Sequence, residues 1–221
     1  KLQLAGRYLE YLGTQKMSAT RIAQEFFKLG LGFDLQVDAE RSSVTLYGLE
    51  ESLEQGLELL QQVLFELKPD RKTWGNLVSD ILTRRQNNKQ DRTAILKHAL
   101  PSYAKYGSFS PFSNVVPEAE LAGMDPSGLT DKIRDLFEYP FQVLYYGKRP
   151  VAQFRKYLQP FLARAGRKPL PQMIHFPTAS LHENELFFLD FPIVQNEILL
   201  LGKSTNQFDL EAFKAQGLYN N

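Results

Sequence analysis

Five residues near the start of the chain, Arg7-Tyr-Leu-Glu10-Tyr11, have the frame of the inverted zinc motif H-x-x-E-H, with both histidines replaced. In that motif two imidazoles on successive turns of one helical face reach a single ion, and the glutamate activates the bound water. Here the glutamate, Glu10, is kept. The ligand positions hold a guanidinium that does not lose its proton in proteins and a phenol. A helix with these residues is not expected to hold zinc. Elsewhere the chemistry is sparse. His98, His175 and His182 include no pair at helical ligand spacing, and His182-Glu-Asn-Glu185 reads as a turn that enters a strand. Gly30-Leu-Gly32 lacks the Lys-Ser/Thr of a phosphate loop, and no G-x-S-x-G nucleophile motif is present.

The elements that position Glu10 can be read from periodicity. Leu4, Tyr8, Leu9 and Tyr11 recur at helical spacing, Gly13 stands where a left-handed cap would end that helix, and Ser18 can cap the next. Residues 19–29 place Ile22, Ala23, Phe26, Phe27 and Leu29 on one apolar face that Gly30 stops. Phe33, Leu35 and Val37, then Val44 and Leu46 across an Asp38–Arg41 turn, predict an antiparallel hairpin with one buried face. From Glu51 a helix carries the stripe Leu53, Leu57, Leu60, Leu64 and Leu67, with Glu50 and Glu51 near its positive end. Asp70 caps a further helix that faces Trp74, Leu77, Val78 and Ile81 inward. Another helix is expected over 93–106, then an irregular connection over 107–126, a helix over 131–138 and a buried strand over 141–146. Pro150 opens a helix containing Val151, Phe154, Tyr157, Leu158 and Phe161. Beyond the Pro- and Gly-containing stretch 165–171, two strands are expected over 185–190 and 197–202 around a Pro192 turn.

The 221 residues suffice for one large or two modest domains. Lys+Arg 26 against Asp+Glu 25 leaves a net charge of +1, which argues against a general nucleic-acid binder. Arg84 and Arg85 with Lys89, Arg92 and Lys97 read as a solvated face. With no cysteine, disulfides and thiol nucleophiles are excluded. No membrane-spanning run and no signal peptide are visible. The chain opens in mid-helix at Lys1-Leu-Gln-Leu and closes on a helix barely begun at Leu210, followed by Tyr219-Asn-Asn221, so it is read as a piece of a longer one.

From Leu4 to about Leu67 the sequence resembles the insulinase/pitrilysin family of zinc metallopeptidases. The matching points are Tyr8-Leu-Glu10-Tyr11, Gly13-Thr14, the run Ser18 to Gly30, Phe33 to Val37, Ser43 to Tyr47 and the helix Leu53 to Leu67. Leu77-Val-Ser-Asp80-Ile-Leu-Thr-Arg-Arg85 is similar to the helix that carries the family's third zinc ligand, which places Asp80 at or near that ligand position. The spacing from Tyr11 to Gly13-Thr14 is shorter than in active members. A gapless frame from Gly13-Thr14 puts the motif on Leu4, Arg7 and Tyr8 instead, and neither frame supplies a histidine. If the alignment holds, Glu10 and Asp80 meet as two carboxylates, with Arg7 expected in an ion pair with Glu10.

Large members of the family have two related halves that close around a peptide, each half built of two similar domains, and only the first half carries the metal. The resemblance therefore implies an α+β fold of two related domains, each an antiparallel or mixed sheet flanked by helices. The first would span 1–164 and lack its first strands, 165–172 would be the linker, and 173–221 would begin a second, incomplete domain. It implies a non-catalytic half that encloses and binds peptide substrate, with no catalytic or metal residue of its own and no cofactor. Its partner would be a catalytic half, on the same polypeptide or a homologous subunit, where the zinc belongs. The alternative is a catalytically dead homologue acting as a scaffold or docking subunit, and a further one is an unrelated α+β binding domain. Bacterial members of the family are often exported and eukaryotic ones often organellar, and the sequence does not choose.

Overall fold

The computed structural model describes residues 1–38, 41–180, 183–191 and 197–202. The chain is mixed α+β, with a two-stranded antiparallel sheet among the described residues. By its contacts it divides into two compact units, 1–87 with 115–175, and 88–114 with 176–221.

The first unit opens with α1 (Leu2–Leu9), which buries Ala5, Gly6, Tyr8 and Leu9. Gly13 is not in the left-handed region, contrary to the expected cap, and Glu10 ends the helix in right-handed geometry. What Gly13 supplies is space: a Cβ there would collide with the Met17 carbonyl oxygen. The turn is pinned from both sides. The Thr14 amide donates to Met17 O at 2.8 Å, Thr14 Oγ1 accepts from the Lys16 and Met17 amides, and the Lys68 amide donates to Gly13 O at 3.0 Å. Thr14 and Leu67 thereby form an isolated antiparallel bridge.

Helix α2 (Ala19–Lys28) starts at Ser18, whose hydroxyl accepts from the Arg21 amide at 3.2 Å, as its sequence predicts. Ile22 and Phe26 are buried, but Phe27 points to solvent at 85% exposure, since the face in contact is narrower than the apolar one. Gly30, at φ +63°, ends the helix. The hairpin β1 (Leu31–Val37) and β2 (Ser42–Gly48) pairs Phe33 with Leu46 and Leu35 with Val44, all partly buried on one face against the core. Of its turn, Ala39 and Glu40 lie outside the described residues.

A 3-10 turn, Glu50–Ser52, leads into α3 (Leu53–Phe65), whose Leu57, Leu60, Val63 and Leu64 are buried. Its C-terminal carbonyls are met by a cation. Arg134 donates to Phe65 O at 3.1 Å and to Leu67 O at 2.7 Å while pairing with Asp131. Helix α4 (Arg71–Asn88) turns Trp74, Leu77, Val78 and Ile81 inward as predicted, and the Asp70 carboxylate accepts from the Thr73 amide at 2.6 Å at its start.

Residues 92–106 form a helical run, α5 (Arg92–Ala94) and α6 (Leu100–Tyr106), joined by a π-turn over Ile95–Ala99 just before Pro101. The irregular connection that follows contains α7 (Glu118–Gly123). Helix α8 (Ser127–Asp135) buries Leu129, Thr130 and Ile133 and runs into a 3-10 turn, Leu136–Glu138. Helix α9 (Val151–Tyr157) has Pro150 at its cap, one place before the expected first position, and α10 (Gln159–Leu162) follows after a break at Leu158. Phe65, Phe137 and Phe161 close this side of the core with ring centroids 5.2–5.6 Å apart.

The later strands expected from the sequence are corrected. Residues 141–146 form no strand: they make no backbone ladder, and Leu144 and Tyr146 are fully open to solvent. The described residues of 185–190 and 197–202 form none either, because strand-like side chains without a neighbouring strand cannot pair their backbone. Pro192 and His182 lie outside the described residues, as does the expected helix start at Leu210. Within 165–172, Lys168 is tied to the end of α8. Its amide donates to Glu138 O at 2.9 Å, and its ammonium pairs with Asp135 at 2.8 Å and Glu138 at 3.1 Å. In the second unit none of the described apolar side chains is fully buried, and aromatic pairs such as Phe109 with Phe176 and Tyr103 with Phe187 bring them together.

One contact joins the end of α1 to the start of α4. The Tyr8 ring is completely buried, edge-on to Trp74 at 5.5 Å. Its hydroxyl donates to Asp70 O at 2.7 Å and accepts from the Asp70 amide at 2.7 Å. Burial holds the phenol pKa above its ordinary value, so the hydroxyl keeps its proton. Replacing Tyr8 with Phe removes both hydrogen bonds and is expected to cost about 1–3 kcal/mol in denaturant unfolding. The Tyr8 contribution is fully present below the unfolded phenol value of about 10 and is lost as pH rises through the higher folded one, so Tyr8→Phe should lack that part of the alkaline loss. Gly13→Ala, with its Cβ against the Met17 carbonyl, is expected to destabilise by about 1–3 kcal/mol in the same assay.

Candidate functional site

The residues at the motif frame are set by the end of α1. Arg7 and Glu10 are exposed and Tyr11 is 53% exposed, all on the outer side of a helix whose inner side is filled by Ala5, Tyr8 and Leu9. The expected ion pair between Arg7 and Glu10 is not formed. Both side chains extend into water, where such a pair stabilises little.

Tyr11 and Asp80 are brought together. With Thr73, Asn76, Leu77 and Arg84 they line an open depression of about 390 Å³ between the end of α1 and α4. Tyr11 and Thr73 also border a second depression of about 420 Å³ along the 12–19 loop, where Lys16, Lys68 and Asp70 contribute charge. Glu10 lines neither, so the two carboxylates of the sequence reading do not share a cavity. Asp80 has a partner of its own, Arg84, at 2.8 Å one turn along α4. Lys16 pairs with Glu66 at 3.2 Å.

This donor set does not suit zinc. Arg7 has no lone pair to offer, Tyr11 is a phenol, and Asp80 is held by a guanidinium. Among the described residues no group of three or more His, Asp or Glu side chains could hold an ion. In the gapless frame the third position is Tyr8, and its hydroxyl is committed to the Asp70 backbone. Sequence reasoning placed Tyr8 on the apolar face but missed this bond, because its partner is a main-chain group 62 residues away. Hydrogen bonds from Thr73 in turn keep the Asp70 carboxyl below the usual carboxylate range, which maintains the cap.

No family model matches the sequence, and no curated protein matches it. Solved structures do match. A mutant of the ferredoxin protease FusC, in complex with Arabidopsis ferredoxin, is 16% identical with a TM-score of 0.64, over 80% of this chain and 20% of that one. A peptidase M16 inactive domain from Pseudomonas fluorescens is 16% identical with a TM-score of 0.62, over 79% of this chain and 43% of its own. The periplasmic protease PqqL from Escherichia coli is 14% identical with a TM-score of 0.60, over 80% and 20%. The chain thus spans less than half the length of each. No helix among the described residues is long and apolar enough to cross a membrane. At these identities the likeness is one of fold, and the resemblance read from residues 4–67 is met at that level: the chain has the fold of a peptidase M16 domain.

Proposed function

We propose that this chain is the non-catalytic half of an insulinase/pitrilysin-type zinc metalloendopeptidase, a wall that encloses and binds peptide for a separate catalytic half. The observation that carries this reading is the end of α1. The positions that would ligate a metal hold Arg7 and Tyr11, and Tyr8 is spent on packing against α4. The likeness to an inactive M16 domain supports it at the level of fold.

In this reading the chain holds no zinc, and its partner, on the same polypeptide or as a homologous subunit, supplies the metal and the base. Peptide would be held as an extended segment, since the paired strands β1 and β2 each leave one backbone edge unpaired among the described residues. The likeness to PqqL, a periplasmic protease, makes an exported compartment the one to examine first.

The test is a set of unstructured peptides added to the purified chain with zinc in the buffer. Calorimetric binding without cleavage, followed by mass spectrometry, is the expected result. Cleavage that a chelator abolishes would overturn the reading, and neither binding nor cleavage would favour the scaffold role.

A further inference from the structure

The strand-like segment 141–146 is open to solvent on one side, yet its far end is tied down by a cluster of hydrogen bonds. A single oxygen, Glu50 Oε1, accepts from the Tyr145 hydroxyl at 2.7 Å, the Lys148 amide at 2.7 Å and the Arg149 amide at 2.8 Å. Arg149 answers in kind, with its guanidinium donating to Glu50 O at 3.0 Å and Glu51 O at 3.3 Å. It also reaches the Tyr157 hydroxyl at 3.2 Å on α9. Each partner thus holds the other's backbone with its side chain. Under this lock the Tyr145 ring stacks on Phe154 at 4.1 Å, and Phe141 meets Phe137 edge-on at 5.9 Å. Without the lock only such side-chain packing would hold the segment, since 141–146 has no backbone hydrogen bond of its own among the described residues.

We propose that residues 141–149 form a strap latched by Glu50 and Arg149, and that it opens as a unit, uncovering Phe154 and Phe137, when the Glu50 carboxylate is lost. Such opening is independent of the non-catalytic role proposed above. Reciprocal anchoring makes it cooperative: freeing the Glu50 carboxylate removes its three hydrogen bonds to the strap, leaving the Arg149 amide only the Tyr145 hydroxyl at 3.0 Å, inside the strap itself, and the Arg149 guanidinium alone on the 3-10 turn carbonyls. The groups that face Glu50 are Tyr145, Arg149 and, through its amide, Lys148, with Glu51 beside it on its own turn. The hydrogen bond from Tyr145, then the Lys148 and Arg149 amides and the Arg149 charge, hold the Glu50 carboxyl below its ordinary range. The strap is therefore closed above the usual carboxylate value and opens as pH falls through the lower folded one.

The test is NMR of the whole chain, reading amide exchange at Lys148 and Arg149 together with the ring contact of Tyr145 with Phe154. In Glu50→Ala the Lys148 amide should exchange on the order of tenfold faster or more, as expected for the loss of a bond to a charged acceptor, the Arg149 amide by less because it also donates to the Tyr145 hydroxyl, and the ring contact should vanish. Amides of α4 should stay protected, which shows that the chain remains folded. Tyr145→Phe should give a smaller change of the same kind. In the wild-type chain acid should open the strap along one titration curve for both readouts, and Glu50→Gln should flatten it. Fast amide exchange with the Tyr145–Phe154 contact intact would overturn the latch, as would Glu50→Ala that behaves like the wild type.

Discussion

The placement of the motif helix depends on one hydroxyl. Tyr8 occupies both main-chain groups of Asp70, and Asp70 in turn caps α4 with its carboxylate, so one side chain sets the position of two helices. The Thr14–Leu67 bridge holds the same junction one layer out, and Arg134 holds the end of α3 beside it. With α1 fixed in this way, Arg7, Glu10 and Tyr11 are left on the outside of the fold and Tyr11 is turned towards Asp80. A buried phenol between two backbone groups is a structural solution. In the gapless frame it also uses up, on packing and on the Asp70 backbone, the position at which an active metallopeptidase would need a free lone pair.

The helices were legible because their signals are local. The stripe of Leu57, Leu60 and Leu64, the Ser18 and Asp70 caps and the Gly30 stop each act within one or two turns, and each is found in place. Strands are different, since a strand exists only through its neighbour. Phe141 to Tyr146 and Leu186 to Leu189 have the composition of strands, but no ladder is available to them among the described residues. What made 31–48 readable was more than the alternation of Phe33, Leu35 and Val37. A short connection brings a second, complementary run back beside the first.

At the candidate site, residue identity was legible and pairing was not. The absence of ligating side chains at Arg7 and Tyr11 is a property of the sequence alone. The Arg7–Glu10 pair failed because nothing shields it from water, whereas Asp80 found Arg84 on its own helix. The Tyr8–Asp70 and Glu50–Arg149 contacts were invisible for a common reason: each joins a side chain to backbone groups far along the chain, 62 residues away in one case and 99 in the other. Gly13 carried the right signal with the wrong cause, a close approach to Met17 in place of a left-handed turn.

Whether the end of α1 can hold a metal is measured most directly by elemental analysis of the purified chain, after incubation with zinc and removal of the excess. Zinc far below one equivalent is the expected result. Tightly held zinc near one equivalent would contradict the non-catalytic role, and would require ligands drawn from the three histidines and nearby carboxylates in an arrangement that the end of α1 does not provide.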